Sequence, residues 1–173
     1  MTVINDEINK LLKESGTLTA SVYDLETKQP LISTHPYFYS NGKFYILSTK
    51  VASQTAIYEK ESVCSIIIVG EQTVAENLFS RRRVSLLCQP KLIHNTNEVK
   101  EMYRDKLGSF AHDLLDVSDF MPFYFEPIEG LYFRGFGRAY QFTSNAINFI
   151  HIKEPHKPKS GMTMAKILKS SLS

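Results

Sequence analysis

The sequence predicts a mainly β protein with helices (α+β), folded as a closed antiparallel barrel with helices at its ends. Three observations lead to this prediction. Nine Tyr and eleven Phe are many for 173 residues, and aromatic side chains favour strands. Short runs with strand-like patterns recur along the chain and are separated by turn residues. The dipeptide Asn41-Gly42 between two aromatic runs is a strong signal for a β-hairpin.

The predicted strands are short, carry alternating or continuous apolar residues, and end at turn residues. In chain order they cover residues 17–23, 31–39, 43–47, 62–69, 84–93, 120–125, 131–142 and 148–152. Asn41-Gly42 joins the second and third of these strands. A two-residue type I′ turn needs positive φ at both central positions, and these residue types tolerate it.

Helices are predicted between some of the strands. Asn95, with Glu98 three residues later, opens a helix in the manner of a capping box, and Gly108 ends it. The other helical segments are residues 2–13, whose apolar side chains have helical spacing, and the candidates 48–60 and 73–82.

The carboxyl end differs in composition from the rest of the chain. From residue 153 onward it contains two prolines, serines and a glycine, which is typical of a linker. We therefore expect one barrel domain over residues 1–153 and a C-terminal arm over residues 154–173.

Composition excludes several classes of function. The formal net charge of +2 is too small to indicate nucleic acid by itself, so no nucleic-acid partner is expected. Cys64 and Cys88 lie in strand-like runs without metal-ligand spacing, and we expect two buried thiols in a reducing compartment. Apolar runs such as residues 66–69 are too short to span a membrane, and no signal peptide is recognised. A soluble, cytoplasmic protein without a membrane partner is expected.

A glycine-broken aromatic run occupies residues 130–142. Gly135 and Gly137 flank Phe136, and glycines two apart on a strand leave one face without side chains. A flat ligand could approach the backbone there. The alternative is a β-bulge or a tight barrel corner.

An imidazole follows this run on a proline-flanked tail. His156 lies between Pro155 and Pro158, which remove backbone donors and disfavour helix, so an extended arm could carry it to an iron. The alternative is an exposed tail histidine without a ligand. His151 lies five residues earlier on a strand and faces the opposite way, so the two histidines make a poor chelating pair. Together, the glycine run and His156 predict a planar ligand with a metal at its centre, haem before any other.

Three stretches of the chain resemble the haem-utilisation proteins of the HugZ/HutZ type. They are residues 77–84, residues 119–123 followed by 130–141, and residues 148–156. These proteins fall within the split-barrel, FMN-binding and pyridoxamine-phosphate-oxidase-like superfamily. The resemblance covers nearly the whole chain. It implies a split antiparallel β-barrel with an FMN-binding-like fold that forms a homodimer.

The resemblance also implies roles for two residues. His156 matches the family's axial haem ligand, which binds iron at the dimer interface. Asp119 matches an aspartate that contacts this histidine from the opposite subunit. A carboxylate that accepts the second N–H of an imidazole fixes its tautomer and strengthens its bond to the metal. Without the resemblance, Asp119 is equally well explained as the residue that turns the chain into the strand at Phe120.

The run Arg81-Arg82-Arg83 is the densest basic segment of the sequence. Porphyrin propionates are carboxylates, which Arg can bind through two parallel hydrogen bonds. The resemblance places Arg82 and Arg83 near the cofactor. The alternatives are a solvated helix end, or propionate binding by Arg134 and Arg138 in the glycine run.

One segment departs from the family pattern. At residues 48–57 the haem-binding relatives carry histidines, and flavin-binding relatives carry hydroxyl and basic residues that hold the FMN phosphate. This chain has Ser48, Thr49 and Ser53, with Lys50 as the sole cation and Thr55 where a basic residue is expected. FMN binding is therefore possible but disfavoured, because a doubly charged phosphate normally needs Arg or Lys.

The expected function is oxidative, O2-dependent haem degradation that opens the ring and releases iron for iron acquisition. Such an oxidoreductase would need an external electron donor, since no nicotinamide site is encoded. The alternatives are an FMN-dependent oxidase or reductase on the same fold, and a haem-binding or trafficking protein without turnover.

Overall fold

The computed structural model describes residues 2–71, 78–135, 138–142 and 149–152, and the fold is reported for these residues. The helices are α1 (Thr2–Glu14), α2 (Ser53–Glu59), α3 (Asn97–Leu107) and α4 (Ser109–Leu114), with a short 3₁₀ helix at Leu78–Ser80. The strands are β1 (Thr17–Asp24), β2 (Gln29–Ser40), β3 (Lys43–Thr49), β4 (Cys64–Val69), β5 (Arg83–Leu92), β6 (Phe120–Gly135), β7 (Arg138–Phe142) and β8 (Phe149–Ile152).

Six of these strands form a closed antiparallel barrel. Their order is β3-β2-β1-β4-β5-β6, and pairing of β3 with β6 closes the ring. The strands β7 and β8 extend the sheet from β6 outside the ring. The predicted antiparallel barrel is confirmed. Within the described residues, no helix is long and apolar enough to cross a membrane.

The long strand β6 belongs to both parts of the sheet. Its first half pairs with β3 from Phe120 to Phe125, and its second half pairs with β7 from Gly130 to Gly135. The strand β5 pairs with both halves of β6. The register shifts between Leu87 and Cys88, so that Ile128 of β6 has no partner residue on β5 and forms a bulge. The prediction of separate strands over residues 120–125 and 131–142 was therefore wrong. The chain bends at a bulge within one strand, and the break between strands comes after Gly135.

The hairpin prediction is confirmed. The chain reverses between β2 and β3 at Asn41 and Gly42, with φ of 50° and 76°. Positive φ at both residues is the type I′ geometry that matches the twist of the flanking strands.

The barrel interior is filled by alternate residues of each strand. In β3 and β5 every second residue is buried, as expected for strands with one face toward a core. The largest fully buried side chains are aromatic and aliphatic: Tyr58, Tyr103, Tyr132, Phe44, Phe123, Phe125, Ile8, Leu18, Ile46, Ile66, Ile68 and Val84. Since the barrel is filled by its own side chains, a porphyrin must bind outside it.

A second apolar cluster lies under α3 and α4 and consists of Phe38, Tyr103, Ala111 and Leu115. The ring of Phe38 stacks on Tyr45 with centroids 4.7 Å apart. The Tyr103 hydroxyl lies 2.8 Å from the Ile46 carbonyl oxygen and 3.2 Å from that of Phe123. These two residues face each other across β3 and β6, so Tyr103 fastens α3 to the strand pair that closes the barrel.

Several predicted helix boundaries were wrong. Ser48 and Thr49 end β3, so the helix expected over 48–60 is confined to α2. A helix was also predicted over residues 73–82. Residues 73–77 lie outside the described part of the chain, and residues 78–80 form the short 3₁₀ helix. The cap of α3 is Thr96, whose hydroxyl accepts from the Val99 N–H at 3.3 Å. The Asn95 amide instead donates to the Leu115 carbonyl, 20 positions away.

The two cysteines are free and buried, as predicted. Cys64 and Cys88 face each other across β4 and β5. Burial raises the pKa of the Cys64 thiol to about 12 and that of Cys88 well above its usual range. Both are protonated at neutral pH and behave as small apolar side chains.

A hydrogen-bond chain crosses the barrel interior at His35. The imidazole Nδ1 donates to the Leu47 carbonyl at 3.3 Å, because a carbonyl can only accept. The neutral Nε2 then accepts from the Ser33 hydroxyl at 2.8 Å, and the Ser33 oxygen accepts from Tyr58 at 3.3 Å. Desolvation by burial lowers the pKa of His35, so the fold favours its neutral form.

We expect His35 to make the protein less stable in mild acid. Its pKa is lower in the folded chain than in the unfolded chain, where it is about 6.5. Its stabilising contribution is therefore complete above that value and is lost as the pH falls through the folded-state pKa. At pH 5.5 the loss is at most on the order of 1 kcal/mol, the limit set by the uptake of one proton by the unfolded chain over one pH unit.

Urea unfolding of the parent chain and of His35→Gln at pH 7.5 and 5.5 measures this effect. The pH dependence should be smaller in His35→Gln and unchanged in His94→Gln, which alters an exposed histidine. Equal pH dependence in all three proteins would contradict the assignment.

Candidate functional site

The carboxyl end of β6 brings Arg83 against an aromatic ring. The Arg83 guanidinium lies over the Phe133 ring, 4.0 Å from its centroid, and Nη1 donates to the Arg81 carbonyl at 3.2 Å. Arg83 and Phe133 are direct neighbours in the β5–β6 register, so the contact follows from the strand pairing. Stacking holds the guanidinium in place on the outer face of the barrel without neutralising its charge.

Gly135 ends β6 next to a second arginine. It has a φ of 144°, which L side chains rarely adopt, and a Cβ there would lie 3.5 Å from Nη2 of Arg138 and 3.9 Å from the Ser80 carbonyl oxygen. The register shifts between Phe133 and Gly135, and Gly135 pairs with Arg138. Gly135 was expected within a regular strand, and this was wrong. It lies at an irregularity at the end of β6, as the alternative of a bulge or tight corner predicted. Gly137 lies outside the described residues.

The three consecutive arginines have different surroundings. The Arg81 Nε donates to the Gly70 carbonyl at 2.6 Å, which fixes the start of β5. Arg82 is exposed and lines a cleft of about 310 Å³ beside α1, together with Glu7, Lys10 and Glu71. Arg83 lies on Phe133 instead. Neighbouring residues at the start of a strand point in opposite directions, so Arg82 and Arg83 do not reach one site together.

Arg134 is bound within the chain. Its Nε and Nη2 lie 2.7 and 2.5 Å from the two carboxylate oxygens of Glu7, in a two-point ion pair between β6 and α1. This hydrogen bonding raises the pKa of Arg134. Of the two alternatives in the glycine run, Arg138 is thus the better placed to bind an anion. Neither Arg83 nor Arg138 forms a salt bridge with any residue the structure describes.

Two exposed apolar side chains lie beside these arginines. Leu78 and Phe79 are 64% and 75% exposed on the 3₁₀ helix, which contacts β6. They belong to residues 77–84, which resemble the HugZ/HutZ type, but no role was predicted for them; two large apolar residues one position before a basic run were a usable signal. We define the β6-end surface as the residues around the carboxyl end of β6: Leu78, Phe79, Arg83, Phe133, Gly135 and Arg138. Ala139 pairs with Phe133, so its neighbour Arg138 projects from the face of the sheet opposite Arg83. Neither guanidinium group has a carboxylate partner among the described residues.

Asp119 lies at the opposite end of β6. Its carbonyl oxygen accepts from the Lys50 N–H at 2.9 Å, which extends the β3–β6 ladder by one residue. Its half-buried carboxylate makes no hydrogen bond to the described residues. Strand β5 pairs with β6 from Arg83 to Leu92. At about 3.3 Å per residue, this stretch has a contour length of roughly 30 Å. Asp119 and the β6-end surface therefore lie at opposite ends of β6.

The tail that carries His156 begins at the β6-end surface. Ile152, the last residue of β8, pairs with Ala139, the neighbour of Arg138. His156 itself and the arm over residues 154–173 lie outside the described residues. His151 lies on β8 and pairs with Tyr140 of β7.

The segment at residues 48–55, where the family resemblance implies a phosphate site, is internally hydrogen bonded in this chain. The Thr55 hydroxyl donates to the Thr49 carbonyl at 2.5 Å, so its oxygen accepts from the Ser48 hydroxyl at 2.7 Å. Ser48 and Thr55 are both buried. The sole cation of the segment, Lys50, is exposed. Both hydroxyl protons are therefore used within the segment, and neither hydroxyl can donate to a phosphate.

Comparison with known proteins places these features in context. No protein-family model matches the chain. The curated heme oxygenase HutZ of Vibrio cholerae is 26% identical over 159 residues, which cover 89% of this chain and 90% of HutZ. A crystal structure of HutZ, described as a heme storage protein, matches 70% of this chain and 88% of its own, with 22% identity and a TM-score of 0.62.

Two further structures share the fold. The crystal structure of Campylobacter jejuni ChuZ has a TM-score of 0.78 at 16% identity and covers 92% of this chain and 67% of its own. A Clostridium acetobutylicum protein related to general stress protein 26, of the pyridoxinephosphate oxidase family, has a TM-score of 0.64 at 18% identity. The match covers 83% of this chain and 96% of that protein. The predicted split-barrel fold and the resemblance to the HugZ/HutZ type are confirmed.

Proposed function

We propose that this chain, a relative of the HugZ/HutZ-type haem-utilisation proteins, binds haem and opens its ring oxidatively with O2, releasing iron for iron acquisition. The observation that carries the proposal is the β6-end surface. A relative over nine-tenths of its length is named a heme oxygenase, which supports both the ligand and the reaction.

The β6-end surface fits the two chemical features of haem. The porphyrin is a flat apolar body, for which Leu78, Phe79 and Phe133 offer apolar contact. Its propionates are carboxylates, for which Arg83 offers a guanidinium group that no described carboxylate neutralises. Arg138, on the opposite face of the sheet at the same strand end, is the alternative. We assign propionate binding to Arg83 rather than Arg82, since Arg82 lies in the cleft beside α1.

The tail can bring His156 to this surface. His156 lies four positions after Ile152, and a fully extended chain over four residue steps spans at most about 14 Å. The arm over residues 154–173 therefore starts next to Arg138 and can present the imidazole to an iron bound there. His156 is the proposed axial ligand.

The proposed contact between His156 and Asp119 requires a second copy of the chain. Asp119 lies roughly 30 Å or more from the root of its own tail, as measured along β5, which exceeds the reach of His156. A partner subunit can supply its Asp119 instead. We therefore propose a homodimer in which each haem site combines the β6-end surface and His156 of one subunit with Asp119 of the other.

Each protein group has a defined task in this site. Bound haem supplies the iron that reacts with O2 and is itself the substrate. His156 provides a neutral nitrogen ligand, and Asp119 accepts the N–H of its other nitrogen, which fixes the tautomer and makes the imidazole a better donor. Arg83 would bind a propionate and so help to orient the porphyrin. Electrons come from an external donor.

Two alternatives rest on the comparisons. A haem-binding protein without turnover is favoured by the HutZ structure described as a heme storage protein. An FMN-dependent enzyme is favoured by the fold shared with a pyridoxinephosphate oxidase family member. Against FMN stands the Ser48–Thr55 hydroxyl pair, which occupies the segment where a phosphate would bind.

Hemin titration tests the ligand and His156. The parent chain should bind one hemin per chain with the absorption spectrum of a histidine complex, and His156→Ala should lose that spectrum because the axial nitrogen is gone. Incubation with ascorbate and O2, with catalase present to remove peroxide, should then bleach the haem and yield a bilin and free iron. An unchanged spectrum in His156→Ala removes this residue from the site; stable haem without product selects the storage alternative.

Arg83 and Arg82 form a matched pair for the propionate assignment. Arg83→Gln should weaken hemin binding by about 10- to 100-fold, since a hydrogen bond to a charged group contributes about 1.5–3 kcal/mol. Arg82→Gln should change the affinity little, because this side chain lies in another cleft. The dissociation constants come from titration at one salt concentration. A larger loss in Arg82→Gln would reverse the assignment.

Subunit mixing tests the shared site. Asp119→Asn and His156→Ala should each be inactive alone. After unfolding and refolding as an equal mixture, half of the dimers should combine the two variants and hold one intact site, which restores about a quarter of the parent activity.

Asp116→Asn is the matched control, since it removes an exposed carboxylate nearby and should retain activity. If the site belonged to one chain, the mixture would recover no activity.

A further inference from the structure

We propose that the side of the sheet that faces α1 binds the phosphate group of a small phosphomonoester through three arginines. We name them the arginine row: Arg82, Arg134 and Arg138. The site is independent of the proposed function, because the row lies on the face of the sheet opposite Arg83. It also lies at the other end of β6 from residues 48–55, since Ser48 pairs with Met121 near the start of that strand.

Three neighbouring strands bring the arginine row together. Arg82 directly precedes β5, whose first residue pairs with Phe133, so Arg82 lies opposite Arg134 across β5 and β6. Arg138 begins β7 and pairs with Gly135, the residue after Arg134. Adjacent strands are about 4.8 Å apart, so the backbones of the three arginines span roughly 10 Å. Long arginine side chains over such a span can reach one small ligand.

All three arginines project toward α1. Arg134 binds the Glu7 carboxylate of that helix, and Arg82 lines the same cleft as Glu7. Arg138 lies two positions before Tyr140 on β7 and therefore shares its face. Tyr140 in turn hydrogen bonds to Arg134. The three guanidinium groups are thus presented on one side of the sheet.

A buried phenol marks where two of these charges converge. Tyr132 is fully buried and stacks on Tyr140 with ring centroids 5.9 Å apart. Burial raises the pKa of Tyr132, and the positive charges of Arg82 and Arg134 act against this shift. Both guanidinium groups therefore lie close to the same hydroxyl.

The charge of the arginine row is only partly compensated by the fold. Like charges directly opposite each other on neighbouring strands destabilise a sheet. Glu7 compensates Arg134, but neither Arg82 nor Arg138 forms an ion pair with the residues that the structure describes. Glu71 lines the cleft beside Arg82 without forming an ion pair with it. Two positive charges therefore remain for a ligand with two negative charges.

A phosphate group on a small molecule fits this arrangement. Its charge at neutral pH is about −1.5 to −2, and its oxygens accept paired hydrogen bonds from arginine. The cleft beside the row has a volume of about 310 Å³, the size of a small-ligand site. Glu14 and Glu71 line the cleft and favour a ligand body with hydrogen-bond donors over one with further anionic groups. The ligand class is therefore the monophosphate of a small polar molecule.

Calorimetric titration with inorganic phosphate, at neutral pH and constant ionic strength, tests the row. Arg82→Gln and Arg138→Gln should each weaken phosphate binding by about tenfold or more, because each removes hydrogen bonds to a charged group. Both side chains are exposed, so the variants should fold like the parent chain. Arg104→Gln is the matched control: it removes an exposed arginine that pairs with Glu101 on α3, and phosphate should bind as in the parent.

Glu7→Gln gives a change of opposite sign. It removes the carboxylate that competes with phosphate for Arg134, so phosphate should bind about three- to fivefold more tightly. Circular dichroism checks that the variant retains its helices. Weaker phosphate binding in a Glu7→Gln protein with intact helices would contradict the proposal.

Hemin titration in saturating phosphate separates this site from the haem site. The hemin affinity should not change, because Arg83 lies on the other face of the sheet. Competition between hemin and phosphate would assign the row to the propionates and overturn the phosphate site. Unchanged phosphate binding in Arg82→Gln and Arg138→Gln, or an equal loss in Arg104→Gln, would also overturn it. Phosphate binding that depends on the row in a chain that binds no hemin supports this inference and rejects the proposed function alone.

Discussion

The pairing of β3 with β6 is the constraint on which the rest of the structure depends. It closes the barrel with only the first half of β6, so the second half is free to carry β7 and β8 outside the ring. The buried Tyr103 hydroxyl contacts carbonyl oxygens of both paired strands and anchors α3 at this closure. Because one continuous strand serves both regions, Asp119 and Gly135 are held at its two ends.

The distribution of charge at the carboxyl end of β6 follows from which arginines find partners in the fold. Arg134 faces α1 and is neutralised by Glu7, whereas Arg83 rests on the Phe133 ring. An ion pair cancels charge; stacking on an aromatic ring fixes a guanidinium and leaves its charge available. The same stretch of sequence therefore supplies one arginine that stabilises the fold and others that are available to an anion.

The segment at residues 48–55 shows how one fold can serve different ligands. The family resemblance implies a phosphate site there, but in this chain the Thr55 hydroxyl bonds to the Thr49 carbonyl and Ser48 bonds to Thr55. A buried hydroxyl that is already satisfied has little to gain from a phosphate. The split barrel is shared with a protein of the pyridoxinephosphate oxidase family, while unpaired guanidinium groups of this chain are found at the β6-end surface.

The sequence by itself determined the features that depend on neighbouring residues. The Asn41-Gly42 turn, the alternation of buried residues in β3 and β5, the end of α3 at Gly108 and the burial of both cysteines all follow from local stereochemistry and hydrophobicity. The resemblance to haem-utilisation proteins was also readable from short motifs. These features need no knowledge of distant contacts.

Only the tertiary structure decided the features that depend on residues far apart in the chain. Asn95 does not cap α3 because its amide donates to the Leu115 carbonyl. The strand predicted over 120–125 and the first part of the one predicted over 131–142 form the single β6, because β5 pairs along both halves. The separation of Arg82 from Arg83 likewise required knowing which side of β5 faces α1. Hydrogen bonding and packing between distant segments outweigh local preferences of a fraction of a kcal/mol to about 1 kcal/mol, and so they fix the placement of the candidate site.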